Sequence, residues 1–190
     1  MMLAPPDTFQ STKRVDVLVS LLPSAKPLKE RARVHLHAYT SETVAEVRLF
    51  DRNQIAPGET AFAQLRMEEP SLLLPGDRFI LRQFSPVVTI GGGAVLDAAP
   101  LPRMKRDASQ SFLKLLANGD PEQTLLARIA RRGHDGLSLS QAVAETGWRR
   151  SVIEQRVVRA VPQGEVLRVG GILISTAAME GLKTFVTATL

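Results

Sequence analysis

The sequence predicts two domains in tandem: a small antiparallel β-barrel over residues 13–99 and an α+β winged-helix domain over residues 100–190. Apolar residues recur with a period of two through the first half, and with a period near 3.6 after residue 98. Pro-Gly pairs also interrupt the first half, which is typical of short strands joined by tight turns. Residues 1–12 are predicted to be a linker.

The composition is that of a soluble chain with a packed core. Of the 190 residues, 44% are hydrophobic and 23% are charged. The absence of cysteine excludes disulfides, thiolate metal sites and cysteine catalysis. No apolar run approaches the roughly 20 residues needed to span a bilayer, and the first residues do not resemble a signal peptide. We therefore expect a cytoplasmic location and no membrane partner.

The first half is predicted to contain five strands that each bury one face, followed by a sixth that contains consecutive glycines. A hairpin turn is expected between Tyr39 and Thr43. The Pro-Gly pairs at 57–58 and 75–76 supply the fixed φ and the positive φ of type II turns. A closed barrel is favoured over a sandwich because closure removes exposed strand edges. The predicted strands are residues 15–21, 34–38, 43–49, 60–67 and 78–83.

Three consecutive glycines, Gly91 to Gly93, lie in the last strand of this half. Glycine weakens a strand unless the backbone must bend or another backbone must come very close. The glycines are therefore interpreted either as a bend that closes the barrel or as a seat for a protein or RNA backbone. A nucleotide-binding loop is not expected, because G-x-G-x-x-G spacing and a P-loop lysine motif are both absent.

The candidate metal ligands of the first half are His35 and His37, which point to the same face of a strand. A third ligand is missing nearby, and His134 belongs to the other half. The sequence therefore predicts no metal site and no cofactor in this chain.

The second half predicts a helix, a short helix, a longer helix and a hairpin, followed by a C-terminal helix. Asp120-Pro121 supplies an N-cap and a first-turn proline, and Ser138 with Gln141 has capping-box spacing. Gly170-Gly171 fits a two-residue hairpin turn. This order is that of a winged helix, whose third helix commonly enters a DNA groove.

The positive charge of the chain lies in its second half. Residues 1–100 carry 11 Lys/Arg and 11 Asp/Glu, whereas residues 101–190 carry 13 and 8, which accounts for the net charge of +5. Arginines on the third helix could neutralise nucleic-acid phosphates. They could equally form a solvated face, since Glu145 and Glu154 are close in sequence. The arginines are Arg149, Arg150, Arg156 and Arg159.

Three stretches carry a resemblance to a known family: Leu3–Phe9 (LAPPDTF), Leu21–Asp51, and Leu72–Asp97 (LLLPGDRFILRQFSPVVTIGGGAVLD). The PGDRF turn and strand, the Ser-Pro pair and the TIGGG strand occur in the order found in the third domain of elongation factor Tu-like translational GTPases. Among these, the sequence most resembles the bacterial selenocysteine-specific elongation factors, whose barrel is followed by winged helices. Residues 1–12 then resemble the tail of a preceding barrel.

The resemblance implies a non-catalytic fragment of a factor that delivers selenocysteinyl-tRNA to the ribosome at recoded UGA codons. GTP and magnesium are implied only for the GTPase domain of the family, whose P-loop motif is absent here. The implied partners are selenocysteinyl-tRNA, the ribosome, the factor's own GTPase domain and, through further winged helices, a messenger-RNA hairpin. The winged helix of this chain is expected to be a spacer or an RNA-facing module.

The resemblance also implies which residues approach the tRNA. In the family, the third barrel touches the tRNA T-stem partly through backbone near the glycine-rich strand. Tyr39 departs from the family, in which glycine more usually precedes the Thr-Ser-Glu turn. The implied tRNA-proximal residues are Thr89, Gly91, Gly92, Gly93 and Arg82.

An alternative interpretation is a winged-helix transcription regulator with an accessory barrel, which would read DNA through residues Val152–Val161. An enzyme is not supported, because the chain has neither a cysteine nor a G-x-S-x-G or H-E-x-x-H motif. Asp77 and Asp97 are better explained as turn and strand-end residues than as a catalytic pair.

Overall fold

The computed structural model of the chain describes residues 8–102, 106–161 and 163–189. The chain forms two compact units: one extends from Phe9 to Ala117, and the other contains the chain from Asn118 onward. The predicted fold class is confirmed, since a closed six-stranded antiparallel barrel is followed by a small α+β unit. The sequence placed the division after residue 99, whereas the compact units divide after residue 117.

The first unit is built from strands and one helix, and the barrel itself closes in the order β1-β6-β4-β3-β7-β8. Every neighbouring pair of barrel strands is antiparallel. The bounds are β1 Thr12–Leu21, β2 Leu28–Lys29, β3 Arg33–Ala38, β4 Ser41–Leu49, β5 Gln54–Ile55, β6 Thr60–Ser71, β7 Arg78–Arg82, β8 Thr89–Asp97 and α1 Arg106–Asn118.

The alternation in the sequence fills the barrel with aliphatic side chains. On β1, the side chains of Val15, Val17 and Val19 are fully buried, and those of Ala45 and Val47 are fully buried on β4. Inward residues on the other strands complete one continuous core. Since burying an aliphatic side chain of this size stabilises by about 1.5–3 kcal/mol, this core is the main source of barrel stability.

Helix α1 belongs to the barrel unit, although the change of period predicted it to begin the next domain. Its Leu113 is fully buried. Its Gln110 donates a hydrogen bond to the carboxylate of Asp51. The hydrogen bond from Arg52 is the main reason that the pKa of Asp51 lies below its ordinary value, and the bond from Gln110 lowers it further. The amphipathic stripe of α1 therefore predicted a buried face but not the unit to which the helix belongs.

The β3–β4 turn is shorter than the sequence predicted. Ala38 pairs with Ser41, so only Tyr39 and Thr40 form the turn. Tyr39 has a φ of 56°, in the left-handed region that glycine adopts at little cost. The geometry therefore accounts for the glycine that the resemblance implies at this position. Both Pro-Gly turns have the predicted positive φ, at 77° and 93° for their glycines.

The second unit has the element order of a winged helix. Its three-stranded sheet has the order β10-β11-β9, and the sequence analysis missed the short strand β9. A 3₁₀ turn at Gly133–Asp135 precedes β9. The bounds are α2 Pro121–Ala130, β9 Leu137–Ser138, α3 Leu139–Thr146, α4 Arg150–Ala160, β10 Val166–Val169, β11 Ile172–Ser175 and α5 Thr176–Thr189.

The predicted helix caps of this unit are confirmed. The Asp120 carboxylate accepts a hydrogen bond from the Gln123 amide at 2.8 Å, and Ser138 with Gln141 forms a complete capping box. Gly147 ends α3 with a φ of 72°. The core of the unit comprises Leu125, Ile129, Leu137, Leu139, Ala142, Ile153, Val157, Ala160, Val166 and Leu173. Within the described parts of the chain, no helix combines the length and apolar character needed to cross a membrane.

Candidate nucleic-acid interfaces

The three glycines of β8 lie where neighbouring backbones leave no room for a side chain. Strand β8 runs between β1 and β7. A Cβ atom built on Gly91, Gly92 or Gly93 would meet a carbonyl oxygen of one of these two strands. The oxygens belong to Ser20 at 2.4 Å, Phe79 at 2.4 Å and Leu18 at 2.0 Å, respectively. The close approach that glycine permits here is therefore made by the barrel's own backbone, and a contact with tRNA stays a prediction.

Arg82 and Thr89 lie opposite each other at the end of the β7–β8 ladder. Thr89 is exposed and Arg82 is half-buried. One guanidinium nitrogen of Arg82 donates to the Val87 carbonyl at 3.4 Å, and its Nε is buried without an acceptor among the described residues. The structure therefore brings the predicted residues of the barrel together on two adjacent strands, at the base of the loop formed by residues 83–88.

The 83–88 loop exposes apolar side chains beside Arg82. Phe84, Val87 and Val88 are each more than 40% exposed, as is Ile80 on β7. Ile80 pairs with Gly92 across the ladder, so β8 places no side chain next to Ile80 on the outer face. Sequence analysis did not select these apolar residues, because a loop between two strands gives no periodicity by which to judge exposure.

The 83–88 loop is held against β3. The Phe84 ring lies 4.2 Å from the His35 ring, and the Arg33 guanidinium lies 5.9 Å from the Phe84 ring. His35 Nδ1 lies 2.7 Å from the Glu42 carboxylate, and His37 Nδ1 lies 3.9 Å from the same group. Across the described residues, no group of three or more His, Asp or Glu side chains is placed to hold a metal ion.

The four arginines predicted on the third helix of the winged helix, α4, are not equivalent. Arg149, Arg150 and Arg159 are exposed, and Arg150 Nε pairs with Glu154 at 3.0 Å. Arg156 is instead half-buried, with its guanidinium 5.2 Å from the centre of the Trp148 ring. A cation held over an aromatic face stabilises the fold. Arg156 therefore differs from the prediction of a common polar face, because the helix turn brings it over Trp148.

The sequence did not predict the buried ionic cluster that lies between α2 and α3. The Glu145 side chain is only 3% exposed and lies 3.4 Å from the Arg128 guanidinium. It also pairs with the guanidinium groups of Arg131 and Arg132. The sequence analysis placed Glu145 near the arginines of α4, whereas the structure turns it toward α2. A signal for this cluster was available, since Glu145 occupies the same buried side of α3 as Ala142.

The Tyr39 side chain links the β3–β4 turn to the turn that precedes β7. Its hydroxyl donates a hydrogen bond to the Asp77 carboxylate, and the second oxygen of Asp77 accepts from the Leu74 amide at 2.7 Å. The hydrogen bond to Asp77, together with slight burial and the nearby negative charge, raises the pKa of Tyr39 above its ordinary value. Deprotonation would place a phenolate beside a carboxylate, so the fold favours the neutral phenol.

Alkaline titration is expected to show this contact directly. Tyr39 is the only tyrosine of the chain, so tyrosinate absorbance reports it alone. Because its folded pKa is raised, its contribution to stability is complete below about pH 10 and is lost as the pH rises through the folded pKa. Asp77→Asn removes the neighbouring charge and is expected to move the Tyr39 pKa toward its ordinary value. An identical titration curve in both proteins would contradict the contact.

The family model for the beta-barrel domain of selenocysteine-specific elongation factors matches residues 12–102, which include all the strands of the barrel. The barrel belongs to this family. The residues that the resemblance implicated, from Arg82 to Gly93, lie within the segment matched to the selenocysteine-specific elongation factor barrel.

Two curated selenocysteine-specific elongation factors extend the similarity into the second unit. The protein from Desulfomicrobium baculatum is 34% identical over 156 residues, which cover 80% of this chain and 24% of the relative. The protein from Haemophilus influenzae is 25% identical over 143 residues, covering 75% of this chain and 22% of the relative. The chain therefore spans about a quarter of the length of these two factors.

A solved structure shows the same fold over both units. The crystal structure of bacterial selenocysteine-specific elongation factor EF-Sec matches 97% of this chain and 27% of its own, with a TM-score of 0.72. The sequence identity to it is 19%, so this likeness concerns the fold.

Proposed function

We propose that this chain is the part of a selenocysteine-specific elongation factor that contacts selenocysteinyl-tRNA through its barrel during delivery to the ribosome at recoded UGA codons. The observation that carries the proposal is the family match of residues 12–102, extended by 34% identity to a selenocysteine-specific elongation factor over 80% of the chain. Binding of GTP and magnesium would be the task of the GTPase domain of such a factor.

The surface proposed for the tRNA is the outer face of β7 and β8 with the 83–88 loop. Gly92 adds no side chain to the outer face of β8, which lets an RNA backbone come close to the strand. Arg82 supplies a cation for a phosphate, and Thr89 supplies a hydroxyl donor at the same end of the ladder. Contacts of this kind position a nucleic acid without reading its sequence. The barrel would therefore recognise the shape of the tRNA stem.

In the second unit, α4 is proposed to face RNA as a positioning module or to act as a spacer. Exposed Arg150 and Arg159 on α4, with exposed Arg149 at its N-cap, support the first role. The same exposed arginines also favour the second candidate function, a transcription regulator that inserts α4 into a DNA groove. The two functions differ in sequence dependence, because phosphate contacts are blind to sequence and groove contacts are not.

Arg82→Gln is expected to weaken tRNA binding roughly tenfold, which corresponds to about 1.4 kcal/mol. The loss of one phosphate contact should also lower the salt dependence of binding by about one unit in the log–log slope. Filter binding of selenocysteinyl-tRNA to the full chain, over a series of salt concentrations, measures both effects.

The control is Lys29→Gln, which removes an exposed cation from β2, outside the proposed surface. Equal losses in the two variants would reject the proposed surface, since the effect would then be one of net charge. Tight binding of one DNA sequence over others, abolished by substitutions at Arg149 and Arg150, would instead favour the transcription regulator.

A further inference from the structure

A cleft of about 220 Å³ lies on the barrel wall opposite the proposed tRNA surface. The strands close in the order β1-β6-β4-β3-β7-β8, so β6 is the strand directly across the barrel from β7. The cleft is bounded by the outer faces of β1, β4 and β6 and by the first turns of α1. Its lining is rich in arginine, with Arg14, Arg48 and Arg66 contributing one from each strand.

Two of these arginines repel each other across the ladder between β1 and β6. Arg14 on β1 and Arg66 on β6 are direct partners in the antiparallel ladder, and both are exposed. Like charges directly opposite each other destabilise a sheet. Among the residues that the structure describes, neither arginine forms an ion pair. Arg66 is oriented instead by a neutral group, since its Nε donates to the Gln64 side-chain oxygen at 3.1 Å.

The remaining charges of the cleft have protein partners. Arg48 lies 3.2 Å from Glu30 and 3.4 Å from Glu46. Asp16 is buried and accepts a hydrogen bond from Gln64 at 3.0 Å, and buried Asp97 accepts one from the Ala99 amide at 3.2 Å. The carboxylates are therefore engaged beneath the surface, whereas the charges of Arg14 and Arg66 face the opening together.

We propose that this cleft binds a phosphate group between Arg14 and Arg66. Guanidinium groups match phosphate oxygens with paired N–H donors, and a bound anion would relieve the repulsion between the two cations. Ser109 of α1 lines the same cleft and offers a hydroxyl donor. The phosphate is either a free ion or part of an RNA backbone. The site lies outside the surface proposed for tRNA and does not depend on it.

The test compares the full chain with the Arg14→Gln/Arg66→Gln variant. The control, Lys26→Gln/Lys29→Gln, removes two exposed lysines that do not line the cleft. Potassium phosphate is expected to raise the barrel Tm of the wild type and the control above the value in potassium chloride of equal ionic strength. The cleft variant should lose this excess. In chloride at low salt it should unfold no earlier than the wild type, which shows that it is folded.

The second arm measures anisotropy of a labelled RNA duplex. An affinity at least about fivefold weaker in the cleft variant than in the lysine control identifies the RNA backbone as a source of the phosphate, because both arginine contacts to the phosphate are lost. Unchanged RNA affinity, together with loss of the phosphate-specific Tm increase, identifies the free ion. The proposal is overturned if phosphate stabilises the wild type no more than chloride does and the cleft variant binds RNA as the control does.

Discussion

Gly93→Ala is expected to destabilise the barrel by about 3 kcal/mol, at the upper end of the usual cost of overpacking. The added methyl group would lie 2.0 Å from the Leu18 carbonyl oxygen and 2.9 Å from the Phe79 ring. The carbonyl belongs to β1, which pairs with β8 on one side and with β6 on the other, so it cannot move aside without disturbing two ladders. Urea denaturation followed by strand circular dichroism measures the loss.

The control for this prediction is Gly181→Ala in α5, where the structure places nothing within 4 Å of the added atom. Alanine is favoured over glycine in a helix by about 1 kcal/mol, so this variant should be unchanged or slightly more stable. If Gly93→Ala stays within about 0.5 kcal/mol of the wild type, β8 is free to shift and the glycines are not required for barrel closure.

Glu145→Gln is expected to destabilise the second unit by about 3–5 kcal/mol. The substitution keeps the shape of the side chain but leaves three arginine guanidiniums without their shared carboxylate. Removing one partner of a buried ion pair is far more costly than removing a surface charge. Trp148 is the only tryptophan of the chain and packs against the core of this unit, so its fluorescence follows the unfolding of this unit.

Glu154→Gln is the matched control, because the Glu154 side chain is 41% exposed and pairs with exposed Arg150 one turn away. Loss of this ion pair should lower the free energy of unfolding by about 0.5 kcal/mol or less. Similar costs for the two glutamates would mean that water reaches Glu145 and that the cluster is not buried in solution.

The sequence predicted those features that depend on neighbours along the chain. Strand alternation, the positive φ of the Pro-Gly turns and the capping box of Ser138 and Gln141 each arise within a few residues. The Glu145 cluster depends on partners 13 to 17 residues away, brought close only when α2 packs on α3. The stacking of Arg156 on Trp148 was missed for a related reason, because a helical pattern gives the side of a residue but not what lies beside it.

The glycines of β8 also combine a feature visible in the local sequence with one that depends on distant strands. The sequence identified them as unusual for a strand and offered close approach as a reason. That the approaching groups are the carbonyls of Leu18, Ser20 and Phe79 follows only from the strand order of the barrel. The proposed roles of Arg82 and Thr89 came from resemblance to relatives, since periodicity and spacing do not distinguish a tRNA contact from any other exposed strand end.

The position of α1 has a consequence for dissecting the molecule. The segment that matches the barrel family model ends at residue 102, whereas the compact body to which it belongs ends at Ala117. A fragment restricted to the matched segment would lack α1, which contains fully buried Leu113. It would also lack the hydrogen bond from Gln110 to Asp51. A fragment that ends after Ala117 would therefore keep the whole compact unit, whereas one that ends after residue 102 would lack α1.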